Sequence, residues 1–568
     1  MRIDVRQTPF SAYGSYLAVR LADDGHSLII RDVHDCFGDQ GKSFALTFQR
    51  ESQPAAYTVE ATPWELMARS TTGRGAARVT LHGDWGLVVE SDGLDVSLSS
   101  ILGSYGFGYR EGPTRVRFHL GVRRDVATID VVEGAATDLI RWEAVEGRLV
   151  CARADLRIAC DGGTGRARVV LGLSPFSTPA PAPDVDVEGD RQAARQDWET
   201  FLSRLPPVPD ERRPYAELAW YTLWASTVRA RGYLAYDAVL MSKNWMCNVW
   251  SWDHCFNALA LAKADARAGL EQLLLPFEQQ LPTGALPDSI NDAFVNTIVV
   301  KPPIHGWCLT RLLDRQVPDA ALLAHVYERL AAWTDWWLTC RDFDADGVPN
   351  YIHGNDSGAD NASIFDGGNV LESPDLSAYL VLQMDALSRL ATLMGNHDAA
   401  AAWAGRADGL LTRLYEHLWE GDGFVGKLSG SHVFDAHPTS ILAVLPLVLG
   451  ERLDREKFGV LAETLERDFL TPFGPAAEAL TSPKFVATGG YSMRGPIWAP
   501  YVYLLADGLN RGGRRDLAAR MATGFCATVE RSGSMWEDYD AVTGAGRDDP
   551  AYTWTASVYL LLLNEYLL

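Results

Sequence analysis

Carboxylates lying beside aromatic rings, on stretches far apart along the chain, are the residues most able to do chemistry. A pair of such groups can share acid and base work when their surroundings push their proton affinities apart. In DFDADGVPNYIHGNDSGADNASIFD, Asp356 and Asp360 fall in a Gly- and Asn-rich loop between two helical patterns. In SGSMWEDYDAVTGAGRDDPAYTWTA, Glu537 follows Trp536 and precedes Tyr539, with Trp554 further on. Composition alone leaves Asp356 and Asp360 as equal candidates for a proton donor. A solvated acidic loop is the plain alternative for both stretches.

Two more stretches have the makings of a binding surface. NWMCNVWSWDHCFNALAL sets Trp245, Trp250 and Trp252 beside Asp253, just before a helix. Indole rings cover the apolar faces of a sugar while a carboxylate takes its hydroxyls; Asp253 could instead only cap the helix, a role Asp favours. In GGYSMRGPIWAPYVYLL, Arg494 precedes a Gly-Pro turn and Trp498 opens the next helix. A fixed guanidinium there could orient a hydroxyl or keep a carboxylate ionised, or simply form a salt bridge.

Asp342, Asp344 and Asp346 resemble the opening of a calcium loop, but position 353 is His where that loop needs Glu. A polar turn is expected there, with a structural calcium as the lesser alternative. No HExxH pair is present, so neither a catalytic metal nor any other cofactor is expected. GDQGKS at 38–43 lacks the first Gly of a phosphate loop, and GYSMR lacks the last Gly of a serine-hydrolase elbow.

The elements that must carry these loops change character along the chain. Residues 1–175 hold short β-branched runs such as ARVTLHGDWGLVVE and RARVVLGL, separated by turn residues, which predict an antiparallel β-sandwich. SPFSTPAPAPDVDVEGD predicts a linker over 176–190. From 191 to 568 apolar residues recur at three- and four-residue spacing in about a dozen segments. The expected fold is mainly α, an (α/α)6 toroid behind a β-sandwich, with the chemistry-bearing loops gathered at one end of the helices.

At 568 residues the chain exceeds a single core, and 47% hydrophobic with 22% charged residues is ordinary globular composition. A net charge of −22 argues against nucleic acid and anionic membranes as partners. With no export signal, no span-length apolar run and no cysteine framework, a cytoplasmic protein acting on a small carbohydrate is expected.

Together the loops resemble the trehalase and processing α-glucosidase clan, closest to glycoside hydrolase family 63 and its bacterial relatives. The matching stretches, in the family's order, are VWSWDHCFNALAL, KPPIHGW, NDSGADNAS, SMRGPIWAPYVYL, and WEDYDAVTG followed by YTWTASVYL. The resemblance implies that Asp360, in Ser357-Gly358-Ala359-Asp360, is a general acid. It implies that Glu537, in Glu537-Asp538-Tyr539-Asp540, is a general base, and that Trp252-Asp253 with Arg494 and Trp498 line the sugar subsite. Asp356, which stands where many members have Glu, is expected to contact the substrate as well. The implied activity is inverting, exo-acting hydrolysis of a small α-glucoside. An α-mannoside-specific hydrolase, a phosphorylase or epimerase on the same toroid, and a non-catalytic sugar-binding protein are the alternatives.

Overall fold

The computed structural model describes residues 1–34, 41–121, 125–175, 185–487 and 493–568. Gly38–Gln40 of GDQGKS and Gly489–Ser492 of GGYSMR lie outside them. The N-terminal region folds as two antiparallel sheets. Across one sheet the order is Leu17–Leu21, Leu28–Asp32, Lys42–Arg50, Asp95–Ser100, Arg148–Ala159 and Ala135–Val145. The other runs from Phe107–Arg110 through Asp125–Glu133 and Arg166–Pro175 to Tyr57–Thr62. Alternation supplies the shared core: Phe44, Leu46 and Phe48 point inward from one strand, and Phe44 meets Phe118 of the other sheet edge-on at 5.2 Å.

Twelve α-helices follow among the described residues: α1 Val187–Leu202, α2 Arg213–Ser226, α3 His254–Ala262, α4 Ala266–Glu278, α5 His305–Leu313, α6 Ala320–Cys340, α7 Pro374–Leu393, α8 His397–Leu418, α9 Arg455–Thr464, α10 Ala499–Arg511, α11 Arg515–Ser532 and α12 Thr553–Tyr566. Their contacts run in a cycle. α3 touches α5, α5 touches α7, and α7 touches the 3-10 segment Leu445–Arg452; that segment touches α10, α10 touches α12, and α12 returns to α3. α4, α6, α8, α9 and α11 pack on this cycle from their own neighbours.

The sequence separates the two sets. Every residue of α3 is buried, as is Thr553–Leu563 of α12, matching runs such as FNALALA and YLLLL that are apolar on all sides. α8 buries only one stripe, including Ala407, Leu411 and Leu414, and shows solvent the rest.

Two expectations need correction. The linker predicted over 176–190 is shorter at its C-terminal end: α1 begins at Val187, because the Asp186 side chain accepts from Gly189 N and Glu188 and Asp190 suit the first turn. Residues 176–184 lie outside the described ones. PTSILAVLPLVLG, one of the dozen segments expected to be α-helical, instead holds two 3-10 turns, Ile441–Ala443 and Leu445–Arg452, with Pro446 in the first turn of the second and Gly450 breaking it at φ 58°.

The two regions share buried polar contacts. Lys243 donates to Ser11 Oγ and Ser15 O of the N-terminal region, and burial lowers its pKa to about 7. No helix among the described residues is long and apolar enough to cross a membrane.

Candidate active site

Short ladders at the ends of the helices fix the loops that matter. Val249–Trp250 pairs with Ser289–Ile290, Asn350–Tyr351 with Leu371–Glu372, and Ile497–Trp498 with Asp538–Tyr539. The third ladder makes Trp498 and Asp538 cross-strand partners, tying the Arg494 stretch to the Glu537 stretch. One cavity results, lined by Met246, Trp250, Trp252, Asp253, Lys301, Gly358, Asp360, Met493, Glu537, Tyr552 and Trp554.

Asp360 therefore meets Glu537 in one hollow, while Asp356 is elsewhere. Both Asp356 oxygens are committed, one to Val300 N at 3.1 Å and the other to Arg341 at 2.8 Å and Ile352 N at 3.0 Å. The expected substrate contact at Asp356 gives way to a fully buried brace for the loop. Gly358 lets that loop turn at φ 70°, and any Cβ there would meet the Trp252 ring at 2.7 Å.

Asp253 does not cap α3. It has helical backbone angles and makes no capping hydrogen bond, and it is one of the residues that line the cavity. Burial raises its pKa to about 7, against the pull of Lys301. Lys301 is the residue that sequence reasoning missed. It lies in KPPIHGW, where no neighbouring residue marks its charge as functional. Its Nζ lies 3.3 Å from Asp288 and 4.0 Å from Asp360, and donates to Asn355 O at 3.0 Å. Burial works against that charge, yet Asp288, Asp360 and Asp253 hold the ammonium above its ordinary pKa.

Glu537 is 3% exposed. Burial first, then the charges of Asp549, Asp538 and Asp548, push its carboxyl well above the usual range. Its backbone N donates to Asp549 O at 2.7 Å, and its carbonyl accepts from Trp554 Nε1 at 2.8 Å, so the ring and the carboxyl are held together. Trp252 and Trp554 meet edge-on at 6.3 Å, and Trp554 meets Trp498 edge-on at 5.7 Å.

The remaining predicted residues stand back from the cavity. Trp245 lines a different hollow, with Arg20, Arg31 and Lys42, while the next residue, Met246, lines the cavity. Trp498 and Tyr539 are buried behind the lining, the latter donating to Ser534 O. Trp536 is half-buried against Gly546. Arg494 donates to Asn361 O at 2.6 Å and pairs with Asp366 at 2.5 Å, while Met493 N donates to Asn361 Oδ1. It thus grips the residue after Asp360, and its guanidinium is no part of the cavity lining. An epimerase on this scaffold would be expected to rely on facing histidines, and His305 and His353, which lie near these loops in sequence, are absent from the lining; His305 contacts Ser251 O and His353 accepts from Asn355 N. Asp342, Asp344 and Asp346 form a separate acidic turn in which Gly347 N, Gly430 N and Val348 N donate to them.

A model of the mannosylglycerate hydrolase MGH1-like glycoside hydrolase domain matches residues 246–555, a span holding the whole cavity. The chain belongs to that family. It is a glycoside hydrolase. A mannosylglycerate hydrolase of Rubrobacter radiotolerans is 22% identical over 56% of this chain and 90% of the relative. Among solved structures, the GH63 mannosylglycerate hydrolase of Thermus thermophilus, in complex with Tris and D-glycerate, is similar over 61% of this chain and 99% of its own. Its TM-score is 0.53 and its identity 21%. A bacterial glucoamylase complexed with acarbose is similar over all of this chain and 94% of its own, with a TM-score of 0.62 and 12% identity. The likeness to that structure therefore extends over the N-terminal sheets.

Proposed function

We propose that this glycoside hydrolase acts by inversion on the end of a small α-glycoside, with Asp360 as general acid and Glu537 as general base. The observation that carries the reading is that these two carboxyls, from stretches far apart in sequence, line one aromatic-walled cavity. Protonated Asp360 donates to the glycosidic oxygen as the bond to the anomeric carbon breaks. Ionised Glu537 takes a proton from the water that attacks the opposite face. The carboxyls then need a separation of roughly 6.5–9.5 Å in the working complex, enough to admit that water. Trp252 and Trp554 offer ring edges and faces to the sugar, and Asp253 with Lys301 its hydroxyl partners.

The cyclic order of helix contacts supports an (α/α)6 toroid as the scaffold. The passage from strands ending at Pro175 to helices beginning at Val187 supports two domains, divided as expected after residue 175 but with the helical one beginning at α1 rather than at 191. Mannosylglycerate is the first compound to test, since relatives carry that activity in their names; α-glucosides, the class expected from the sequence, are tested beside it. The experiment is to incubate the purified protein with both, following the product anomer by NMR. Release of the inverted sugar is the expected result. Retention of configuration overturns the mechanism, phosphate-dependent turnover assigns a phosphorylase, and binding without release assigns a non-catalytic protein.

A further inference from the structure

Away from the cavity, four segments bring unlike side chains to one point. Asp346 comes from the turn after α6, Glu372 from the strand Leu371–Glu372, His417 from the last turn of α8, and His432 from the turn after Lys427–Leu428. One ligand atom from each lies within 4.8 Å of all the others. His417 Nε2 is 2.6 Å from Glu372 Oε2 and 3.4 Å from Asp346 Oδ2, and His432 Nε2 is 3.8 Å from Asp346 Oδ2. The two imidazole rings meet edge-on with centroids 4.7 Å apart.

A network of protonated histidines leaves this arrangement incomplete. Glu372 is fully buried, and its Oε1 has no hydrogen-bond partner among the described residues. Asp344 and Asp342 adjoin the same point, each with a buried oxygen lacking a partner. Four carboxylates against two imidazoles leave an excess of negative charge even when both rings are protonated. A divalent cation held by neutral rings places the same two positive charges at one point and offers the orphaned Glu372 oxygen a partner, which a proton on either ring does not.

We propose that Asp346, Glu372, His417 and His432 bind one divalent transition metal of the zinc class. Calcium and magnesium take oxygen ligands, whereas two imidazole nitrogens with two carboxylates suit zinc, cobalt or manganese. Tetrahedral bonds of about 2.0–2.2 Å set the ligand atoms about 3.4 Å apart, so the His417–Glu372 pair must open and the wider pairs close, each by up to about an ångström, a side-chain movement. The ion joins the two ends of the 346–372 segment to α8 and the turn at 432. That segment carries Asp360, so the ion fixes the base of the loop; this last consequence rests on the proposed role of Asp360, and the binding does not.

The test uses the full chain, free of any histidine tag, stripped with chelator and dialysed. Elemental analysis after incubation with Zn2+ is expected to give one ion per chain, and Co2+ is expected to give visible d–d absorption. Thermal unfolding is expected to shift upward with micromolar Zn2+ and to ignore millimolar Ca2+. His417→Ala and His432→Gln each abolish the cobalt spectrum and the shift. His432 stands on a partly exposed turn, so its variant reads the site even if His417→Ala does not fold. No stoichiometric Zn2+ and no cobalt spectrum in the wild-type chain overturns the proposal. Stabilisation by Ca2+ that survives in His432→Gln also overturns it, and assigns the turn to an oxygen-only site at Asp342, Asp344 and Asp346.

Discussion

Asp360 keeps 28% of its side chain open to solvent and stands 4.0 Å from the Lys301 ammonium, while Glu537 is 3% exposed and ringed by Asp538, Asp548 and Asp549. Both are carboxyls of one cavity, yet the charges beside Asp360 include an ammonium, whereas those that raise Glu537 are all acids. In the unliganded protein it is therefore the proposed base, not the proposed acid, that sits in the drier and more negative surroundings. Glu537 must lose its proton before it can take one from water. If Glu537 is the base, that burial predicts an active range displaced toward higher pH.

The largest effect that tests this contrast comes from removing either group. Asp360→Asn and Glu537→Gln should each lower turnover by about 10²–10⁴, the usual scale for general acid–base catalysis. Unfolding curves that match the wild type show that the loss is chemical. Full turnover in either variant removes that residue from the mechanism.

The two variants should then part company on a substrate whose leaving group needs no proton, such as a glycosyl fluoride. Asp360→Asn is expected to recover at least about tenfold on the fluoride relative to its natural-type substrate, since only donor catalysis has been lost. Glu537→Gln gains nothing, because activation of water is still missing. The opposite pattern exchanges the roles and aligns them with the resting electrostatics.

Lys301 belongs to the Asp360 side alone, so Lys301→Met sharpens the comparison from that side. Breaking a buried ion pair leaves Asp288 without its cation and costs about 3–5 kcal/mol of stability. Thermal unfolding reads that cost. Activity measured below the new melting point is expected to fall by roughly tenfold, less than for either carboxyl, because a positioning charge is lost and not a proton carrier. A melting temperature equal to the wild type would show that Asp288 and Lys301 do not depend on one another.

How much of this was legible in the sequence follows the kind of interaction involved. The β-to-α change was readable because burial patterns are periodic, and FNALALA and YLLLL are apolar on every side as inner helices must be. The convergence of Trp252, Asp253, Asp360, Glu537 and Trp554 was expected only through resemblance, since no local spacing brings α3 and α12 together. Asp356 and Arg494 looked like cavity residues because polar side chains in glycine-rich loops have no local signature to tell a brace from a ligand. Arg341 is near Asp356 in sequence and Asp366 is far from Arg494, but in both cases only folded geometry shows that the polar atoms are consumed. Lys301 was passed over for the converse reason. A lone lysine before two prolines reads as a turn, and its charge acquires meaning only when Asp288 and Asp360 arrive from elsewhere.

The acid-rich surroundings of Glu537 give the smallest and most specific test. The proposed base works only when ionised, and its carboxyl is raised, so activity should be lost as pH falls through a value above the ordinary carboxylate range. Asp548 contributes to that rise from an exposed position with φ 59°. Asn occupies such left-handed backbone readily, so Asp548→Asn removes the charge without straining the turn. The acidic limb of kcat/KM should then move to lower pH by a few tenths of a unit, the scale of one screened surface charge. Raising the salt concentration should shrink the difference between the two profiles. A limb that stays fixed in Asp548→Asn, or that already lies near pH 4 in the wild type, shows that water or substrate relieves the burial of Glu537 before the chemical step; the contrast between the two carboxyls would then belong to the empty cavity alone.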